Sequence, residues 1–290
     1  MQVFKFEVTE QDHRQLANFL KSKGFSKKAI LTARHHGGLI LVNQKRRMTN
    51  FRLKKGDVVH FVAGEEKHNP YLKANNAPLE VVYETDNYVI INKPAGLLTI
   101  PSRYEDDDSV VNRLLHYLPN QKPHVITRLD RDTSGLVLVG KTAICHARFS
   151  KHNFTKKYHA VVHGIFDQKT GLIDAPIAKE GDGVKRVVRV DGKASQTKYR
   201  VIATAKDASL VELSLLTGRT HQIRVHMSYL GHPLFGDVLY GGQDTFQRQA
   251  LHCFYLAFTD PFTKKDVKIA IPDASDMVSL CQELKISQAD

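Results

Sequence analysis

The sequence predicts an α+β protein, with a largely antiparallel mixed sheet in its long C-terminal part and a small α/β unit at its N-terminus. Three observations point there. Two helix-like stretches precede two short β-branched runs within the first 64 residues, a polar break with two prolines follows, and beyond it strand-like runs predominate with helices interspersed irregularly. The expected organisation is a unit over 1–64, a linker over 65–78 and a larger domain over 79–290. A chain of 290 residues is long enough for one sizeable core and a second, smaller one.

Taken in order, the first helix is expected around Arg14 to Lys23, ended by Gly24, and the second begins where Ser26 offers its hydroxyl as a cap. Gly37-Gly38 stops that helix. Leu39 to Val42 reads as a strand, Asn43-Gln44-Lys45 as a turn, and Val58 to Val62, after Gly56-Asp57, as another strand. The linker runs from Glu65 to Pro78 and shows no periodicity. Leu79 to Tyr83 and Tyr88 to Asn92 then form two strands, and Lys93-Pro94-Ala95-Gly96 a turn. Ser109 caps a helix on which Val110, Val111, Leu114, Leu115 and Leu118 recur at helical spacing. Further strands are expected near 136–139, 158–163, 197–203 and 209–216.

The formal charge is +12, and the first 70 residues hold 14 lysines and arginines against 6 acidic residues. Such a surface attracts a polyanion, and without an amphipathic basic helix, nucleic acid fits better than a membrane. Lys27, Lys28 and Arg34 fall on or near the second helix, and Lys45, Arg46 and Arg47 just past the strand, so one basic face is expected. No apolar run approaches the ~18 residues of a membrane span, and Met1 to Glu7 lacks a cleaved-signal pattern, so a cytoplasmic protein is expected. Cys145, Cys253 and Cys281 suit neither a disulfide framework nor a zinc ribbon.

The stretch from Val125 to Val139 sets Asp130 and Asp132, with Arg128 and Arg131, against an apolar strand. On extended backbone the two acids share a face at ~6.5–7 Å, which leaves paired-carboxylate hydrolysis open. The basic neighbours speak against it, because they favour both acids ionised whereas a general acid needs a raised pKa. A carboxylate held there needs a cationic partner, which Thr217 to His226 can supply from a distant part of the chain. Ile223, Met227 and Leu230 have helical spacing and Gly231 then Pro233 give a stop, so Arg224 is placed on a short helix. None of the histidines has the spacing of a metal motif, and no phosphate-binding glycine loop or nucleophile elbow is present. No metal and no cofactor are therefore expected.

Phe25-Ser26-Lys27-Lys28, the Gly38 to Asn43 strand and Lys55-Gly56-Asp57-Val58 resemble the α-L RNA-binding module first known from ribosomal small-subunit protein four. The run 125–139 closely resembles the Arg-Leu-Asp-x-x-Thr-Ser-Gly motif of the RluA/RluD pseudouridine synthases, which act on large-subunit ribosomal RNA and transfer RNA. Asn92 to Leu97 upstream, and Thr217 to His226 with Gly231-His232-Pro233 and Gly236-Asp237 downstream, support that resemblance in the expected order. Thr127 departs from it, standing where the family more often has histidine.

The resemblance implies isomerisation of a uridine in structured RNA, ribosomal most readily or transfer RNA, with a catalytically silent RNA-binding protein on the same fold as the alternative. It implies that Asp130 is the catalytic acid, and no residue selects between attack on the base, attack on the anomeric carbon and removal of a sugar proton. It places Arg224 against Asp130, with Arg219 as the fallback, and Tyr158 on the flipped base as the group that removes the carbon-5 proton. Arg128 matches an arginine that enters the RNA where the base departed. Ile223 joins the substrate site, and Lys27, Lys28, Arg34 and Lys45 the RNA-binding face. Oligomeric state is not legible in the residues, and a monomer is the default expectation.

Overall fold

The computed structural model describes residues 3–64, 72–102, 107–119, 121–150, 152–243 and 245–286. The start of the expected linker, 65–71, lies outside the described residues. The first elements are β1 (Val3–Glu7), α1 (Leu16–Ser22), α2 (Lys27–His35), β2 (Leu39–Val42), β3 (Lys45–Arg46) and β4 (Val58–Val62). The strands form one sheet in the order β1-β4-β2-β3. Ser26 caps α2 by accepting the Ala29 amide at 3.0 Å. Asn43 and Gln44 have φ of 50° and 64°, the left-handed pair that a tight hairpin turn between β2 and β3 needs. The first helix is two residues shorter at its start than expected, and β1 adds to the expected elements, with Phe4 and Phe6 alternating towards the core.

The second part comprises β5 (Glu80–Glu84), β6 (Tyr88–Lys93), α3 (Val110–Tyr117), β7 (His124–Val125), β8 (Ser134–Gly140), α4 (Ala143–Phe149) and β9 (Thr155–His163). There follow β10 (Thr170–Asp174), β11 (Ile177–Lys179), β12 (Arg186–Val188), β13 (Gln196–Thr204), β14 (Ala208–Leu215), α5 (Gln222–Tyr229), β15 (Leu251–Thr259), β16 (Asp266–Ala270) and α6 (Ser275–Glu283). The main sheet runs β10-β13-β14-β9-β15-β8-β6-β5, with β16 on β15 and β7 on β8. All strand pairings described are antiparallel except β15 with β8, so the expected α+β class with a largely antiparallel sheet is met. One face buries Tyr158, Leu213, Ile223 and Met227; the other packs Val89, Ile91, Val137 and Val139 against Val110 and Leu114 of α3. Ser109 caps α3, as expected, through the Asn112 amide.

Two irregularities shape the centre of this sheet. At the parallel contact Gly135 has φ of +114°, and a Cβ there would lie 2.3 Å from the Cys253 carbonyl oxygen, so no side chain fits. In β15, Cys253 and Phe254 together oppose the single residue Tyr158, a bulge that re-aims side chains beside it.

The two parts meet at α4. Ile144 is buried in the core of the N-terminal sheet. One turn on, the Arg148 guanidinium lies 5.1 Å from the Phe4 ring, 5.8 Å from Phe25 and 4.7 Å from Phe262. Its Nε is buried without a hydrogen-bond acceptor among the described residues, and burial lowers its pKa. The aromatic faces therefore supply the negative potential that a carboxylate otherwise would.

Candidate active site

Asp130 sits in the return loop between β7 and β8, and four neighbours fix that loop. Thr127 is buried, its hydroxyl accepts the Leu138 amide at 2.9 Å, and so threonine at this departure from the family pattern anchors the loop to β8. Thr99 donates its hydroxyl to the Leu129 carbonyl at 2.8 Å. Lys93, wholly buried, donates to the carbonyls of Pro94, Leu97 and Arg131 at 2.8, 2.7 and 2.7 Å, joining the 94–97 turn to the acidic loop. Burial pulls its pKa down to about 7, with Asp132 and Asp130 opposing the fall. Three carbonyl acceptors match the three donors of an ammonium, so the geometry favours the charged form. Arg248 donates to the Asp132 carbonyl at 3.1 Å.

Extended backbone at Asp130 and Asp132 is a corrected expectation. Residues 130–133 turn, with the Thr133 amide on the Asp130 carbonyl at 3.2 Å, and Asp130 lines the cavity while Asp132 does not. The two acids therefore do not face the cavity as a pair. Arg128 likewise forms no ion pair with Asp132 among the described residues; it is exposed on the cavity wall.

The opposite wall is built around α5. Gln222 accepts from the Thr217 hydroxyl and the Arg219 amide, each at 2.9 Å, and donates to the Gln196 carbonyl and Thr197 hydroxyl at 3.0 Å. This holds the 217–221 loop and leaves His221 at φ 56° as the residue before the helix. A histidine in the left-handed region is strained by about 1–3 kcal/mol unless its surroundings hold it. Here the Tyr240 hydroxyl, which accepts the Arg186 amide at 2.9 Å, lies 2.8 Å from His221 Nδ1. The other ring nitrogen, Nε2, is the one turned towards Asp130. That nitrogen is 3.9 Å from Asp130 Oδ2, and burial lowers the His221 pKa, keeping the ring neutral.

Arg224 Nη1 lies 3.6 Å from Asp130 Oδ2. Its fork, however, is engaged elsewhere: Nε and Nη2 donate to the two oxygens of Asp237, both at 2.7 Å. The arginine expected against Asp130 thus offers it one edge, while a buried bidentate partner sets its orientation. The guanidinium also lies 4.9 Å from the Tyr240 ring centre. Burial works against its charge, and Asp237 more than compensates, so its pKa is raised. Asp130, by contrast, keeps about a third of its side chain exposed (31%) towards the cavity.

The cavity has a volume of about 670 Å³, within the range of small-molecule sites, and Asp130, Arg128, Tyr158, Arg219, Ile223 and Arg224 all line it. Tyr158 is 4% exposed. Burial raises its pKa well above the usual phenol value, with Cys253 and the Asp130 charge adding to the rise, so it is a phenol at neutral pH. Arg219 is exposed and its Nε donates to the Ala194 carbonyl at 3.2 Å. The basic residues of the N-terminal sheet lie apart from this cavity. Lys27 and Lys45 are exposed, Arg34 contacts Met48 Sδ at 3.6 Å and accepts from Arg46 through its carbonyl, and Lys28 lines a separate cleft of about 310 Å³ with Lys122 and His124.

His221, Asp237 and Tyr240 carry no role that sequence reasoning assigns. Gly236-Asp237 enters only through the family resemblance, and no spacing rule ties an acid 13 residues away to Arg224. Among the described residues no group of three or more potential ligands is arranged to hold a metal ion, and no helix is long and apolar enough to cross a membrane.

Comparison with known proteins gives the family. The family described as RNA pseudouridylate synthase matches residues 87–229. An uncharacterized RNA pseudouridine synthase of Bacillus subtilis (strain 168), YjbO, is 40% identical over 267 residues, 89% of this chain and 94% of that protein. Ribosomal large subunit pseudouridine synthase D of Zymomonas mobilis is 38% identical over 235 residues, 72% of this chain and 74% of that protein. The structure of human RNA Pseudouridylate Synthase Domain Containing 1 shares the fold, with a TM-score of 0.59 at 24% identity, over 75% of this chain and 99% of that one. Identity of this order over most of the relatives' length means that the chain belongs to the RNA pseudouridylate synthase family, of the RluA/RluD type, and is an isomerase that converts uridine in RNA to pseudouridine.

Proposed function

We propose that the substrate is a uridine of ribosomal RNA, that it is flipped into the cavity at Asp130, and that Asp130, Tyr158 and Arg224 carry the reaction. The observation that supports the site is the partly exposed Asp130 facing an Arg224 whose orientation is already set by Asp237. The name ribosomal large subunit pseudouridine synthase D, borne by relatives 38% and 36% identical, favours ribosomal over transfer RNA.

In this reading the base leaves its stack at a cost of a few kcal/mol, which stacking on Tyr158 offsets by ~1–3 kcal/mol. The bond between ribose C1′ and uracil N1 breaks, its electron pair staying with the base, and the Asp130 carboxylate stabilises the electron-poor sugar carbon. The base turns, C5 bonds to C1′, and the C5 proton leaves. A phenol takes that proton only by giving up its own, which passes to Asp130 on the same cavity wall, and the ring nitrogen freed from the sugar takes a proton in turn, leaving Asp130 ionised again. Tyr158→Phe keeps the ring and is expected to lower turnover by about 10²-fold or more, in the range of lost general-base catalysis. Turnover within threefold of the unaltered protein would remove the proton relay. Arg128 and Arg219 hold the RNA at the mouth of the cavity, beside Ile223 on its apolar wall. One chain supplies the whole site, so a monomer suffices, acting in the cytoplasm where ribosomal RNA is assembled.

The N-terminal unit, 1–64, joined by the 65–78 linker to the catalytic domain 79–290, is proposed as an α-L RNA-binding module with Lys27, Lys28, Arg34 and Lys45 on its RNA-facing side. Replacing Lys27 and Lys45 by alanine is expected to make the salt dependence of RNA affinity shallower, by about 0.7–0.9 in logarithmic slope for each phosphate that the protein no longer neutralises. An identical slope would take this face out of the RNA interface.

The function is tested by tritium release from RNA labelled at uridine C5, prepared from cells lacking the protein, followed by mapping of pseudouridine. Release with one modified position in ribosomal RNA is expected. A position in transfer RNA would overturn the substrate, and no release the reaction.

A further inference from the structure

Lys156 is a cavity residue that neither the ion pairs nor the motifs account for. It stands two positions before Tyr158 on β9, so the two side chains share the face that looks into the cavity, while Lys157 and His159 on the other face pair with Glu212 and Asp273. Among the described residues Lys156 has no hydrogen-bond or ion-pair partner, Asp130 included. Its surroundings are apolar or neutral: Phe154, Leu215 and Leu251 share the cavity wall, and Cys253, whose charge state acts on both Lys156 and Tyr158, is wholly buried at the bulge of β15. Burial pushes the Cys253 thiol up to about 11, so it is no counter-ion at neutral pH. Lys156 is half-buried on that wall, so its ammonium keeps part of its hydration but meets no counter-ion among the described residues. A fold that keeps an unpaired ammonium beside the aromatic platform, away from the exposed rim where Arg128 and Arg219 lie, leaves room for a partner that enters with the substrate.

We infer that Lys156 is a catalytic residue that contacts a carbonyl oxygen of the flipped uracil and stabilises the anion formed when the base leaves the sugar. This rests on the proposed placement of the uridine between Asp130 and Tyr158. When the N1–C1′ bond breaks, the pair of electrons stays on the ring and spreads to the two carbonyl oxygens. An ammonium donating to one of them lowers the energy of the departing anion more than that of the neutral base, which is the condition for a gain in rate. A phosphate is the poorer partner, because the backbone must enter and leave through the mouth while the base reaches the floor beside Tyr158.

The test is single-turnover tritium release from C5-labelled RNA of cells lacking the protein, over a series of enzyme concentrations, for the wild type and for Lys156→Met, Lys156→Gln and Lys156→Arg. Loss of one such donor is expected to lower the saturating rate of Lys156→Met by about 10²–10³-fold while the half-saturating concentration stays within about threefold. Lys156→Gln, which keeps a donor without the charge, should lie between, and it replaces the methionine variant if that fails to fold. Lys156→Arg should recover most of the rate. Burial lowers the lysine pKa, so the active ammonium form is lost as pH rises through a value below the ordinary lysine range. Arginine titrates higher, so Lys156→Arg should hold its rate further into alkali than the wild type, although Tyr158, Asp130, His221 and Arg224 face the same cavity in both and the Cys253 thiol is buried behind it. Rates for Lys156→Met and Lys156→Gln within threefold of the wild type overturn the inference. So does a loss confined to the half-saturating concentration, which makes Lys156 a phosphate ligand. No release by the wild type itself removes the uridine reading and the inference with it.

Discussion

Replacing Asp130 by alanine is expected to lower single-turnover tritium release by about 10⁴-fold or more, equivalent to about 5.5 kcal/mol of transition-state stabilisation. The fold should not notice. Asp130 is about one-third exposed, and its contacts with Arg224 and His221, at 3.6 and 3.9 Å, are too long to carry much stability. Removing it leaves Arg224 fully engaged by Asp237, so no buried charge is stranded. The melting temperature is therefore expected to stay within a few degrees, which separates a chemical defect from an unfolded protein. Asp130→Asn, which keeps the shape and removes the charge, should be nearly as inactive. Turnover of either variant within tenfold of the wild type would end the case for Asp130 as the catalytic acid.

Asp237→Ala should show the opposite pattern, damage to both fold and rate. The pair it forms with Arg224 is bidentate and almost without solvent, the side chains being 1% and 9% exposed. Removing one partner of such a pair typically costs about 3–5 kcal/mol, because the other charge stays buried. For a chain of this size that corresponds to a fall of about 6–20 °C in melting temperature. In the fraction that stays folded, the released guanidinium turns towards Asp130, whose carboxylate already lies 3.6 Å from its Nη1, and a catalytic acid locked in an ion pair is less free to meet the sugar. The saturating rate at a temperature where the variant is folded is therefore expected to fall as well, by about 10-fold or more for a misplaced catalytic group. An unchanged melting curve would mean that Arg224 finds another acceptor and that Asp237 does not set its orientation.

These two acids also mark where the sequence was readable and where it was not. Arg224 was legible because the spacing of Ile223 and Met227 and the stop at Gly231, observed at φ +84°, put it on a short helix. Asp130 was legible through its motif, but its backbone was not: carbonyl acceptors for Lys93 and Arg248 pull residues 130–133 into a turn that an extended reading of Asp130 and Asp132 missed. Asp237 stayed unread because a buried ion pair across a loop leaves no periodic trace. β15 hides for a different reason. It is buried along much of its length, so Leu251 to Phe258 is almost continuously apolar, without the alternation that signals a strand. His221 looked like one histidine among many until its left-handed backbone and its bond to Tyr240 placed it against Asp130.

With α2 as the RNA-facing side proposed above, the Arg148 cluster has a consequence for how RNA is held. Its guanidinium lies among rings contributed by both parts of the protein, Phe4 and Phe25 from one and Phe262 from the other, and Ile144 beside it is part of the N-terminal core. A module tethered only by the 65–78 segment would search a volume set by that tether, and each second contact would carry the entropy cost of the search. Clasped at Arg148, α2 and the cavity are packed on one another at a defined separation, like the two arms of a caliper. An RNA that presents a phosphate ridge and an extrudable uridine at that separation meets both arms at once, at high effective concentration. One that presents them at another distance meets only one arm. Discrimination between RNAs can then reside in a span between two points, with no base of the surrounding sequence being read.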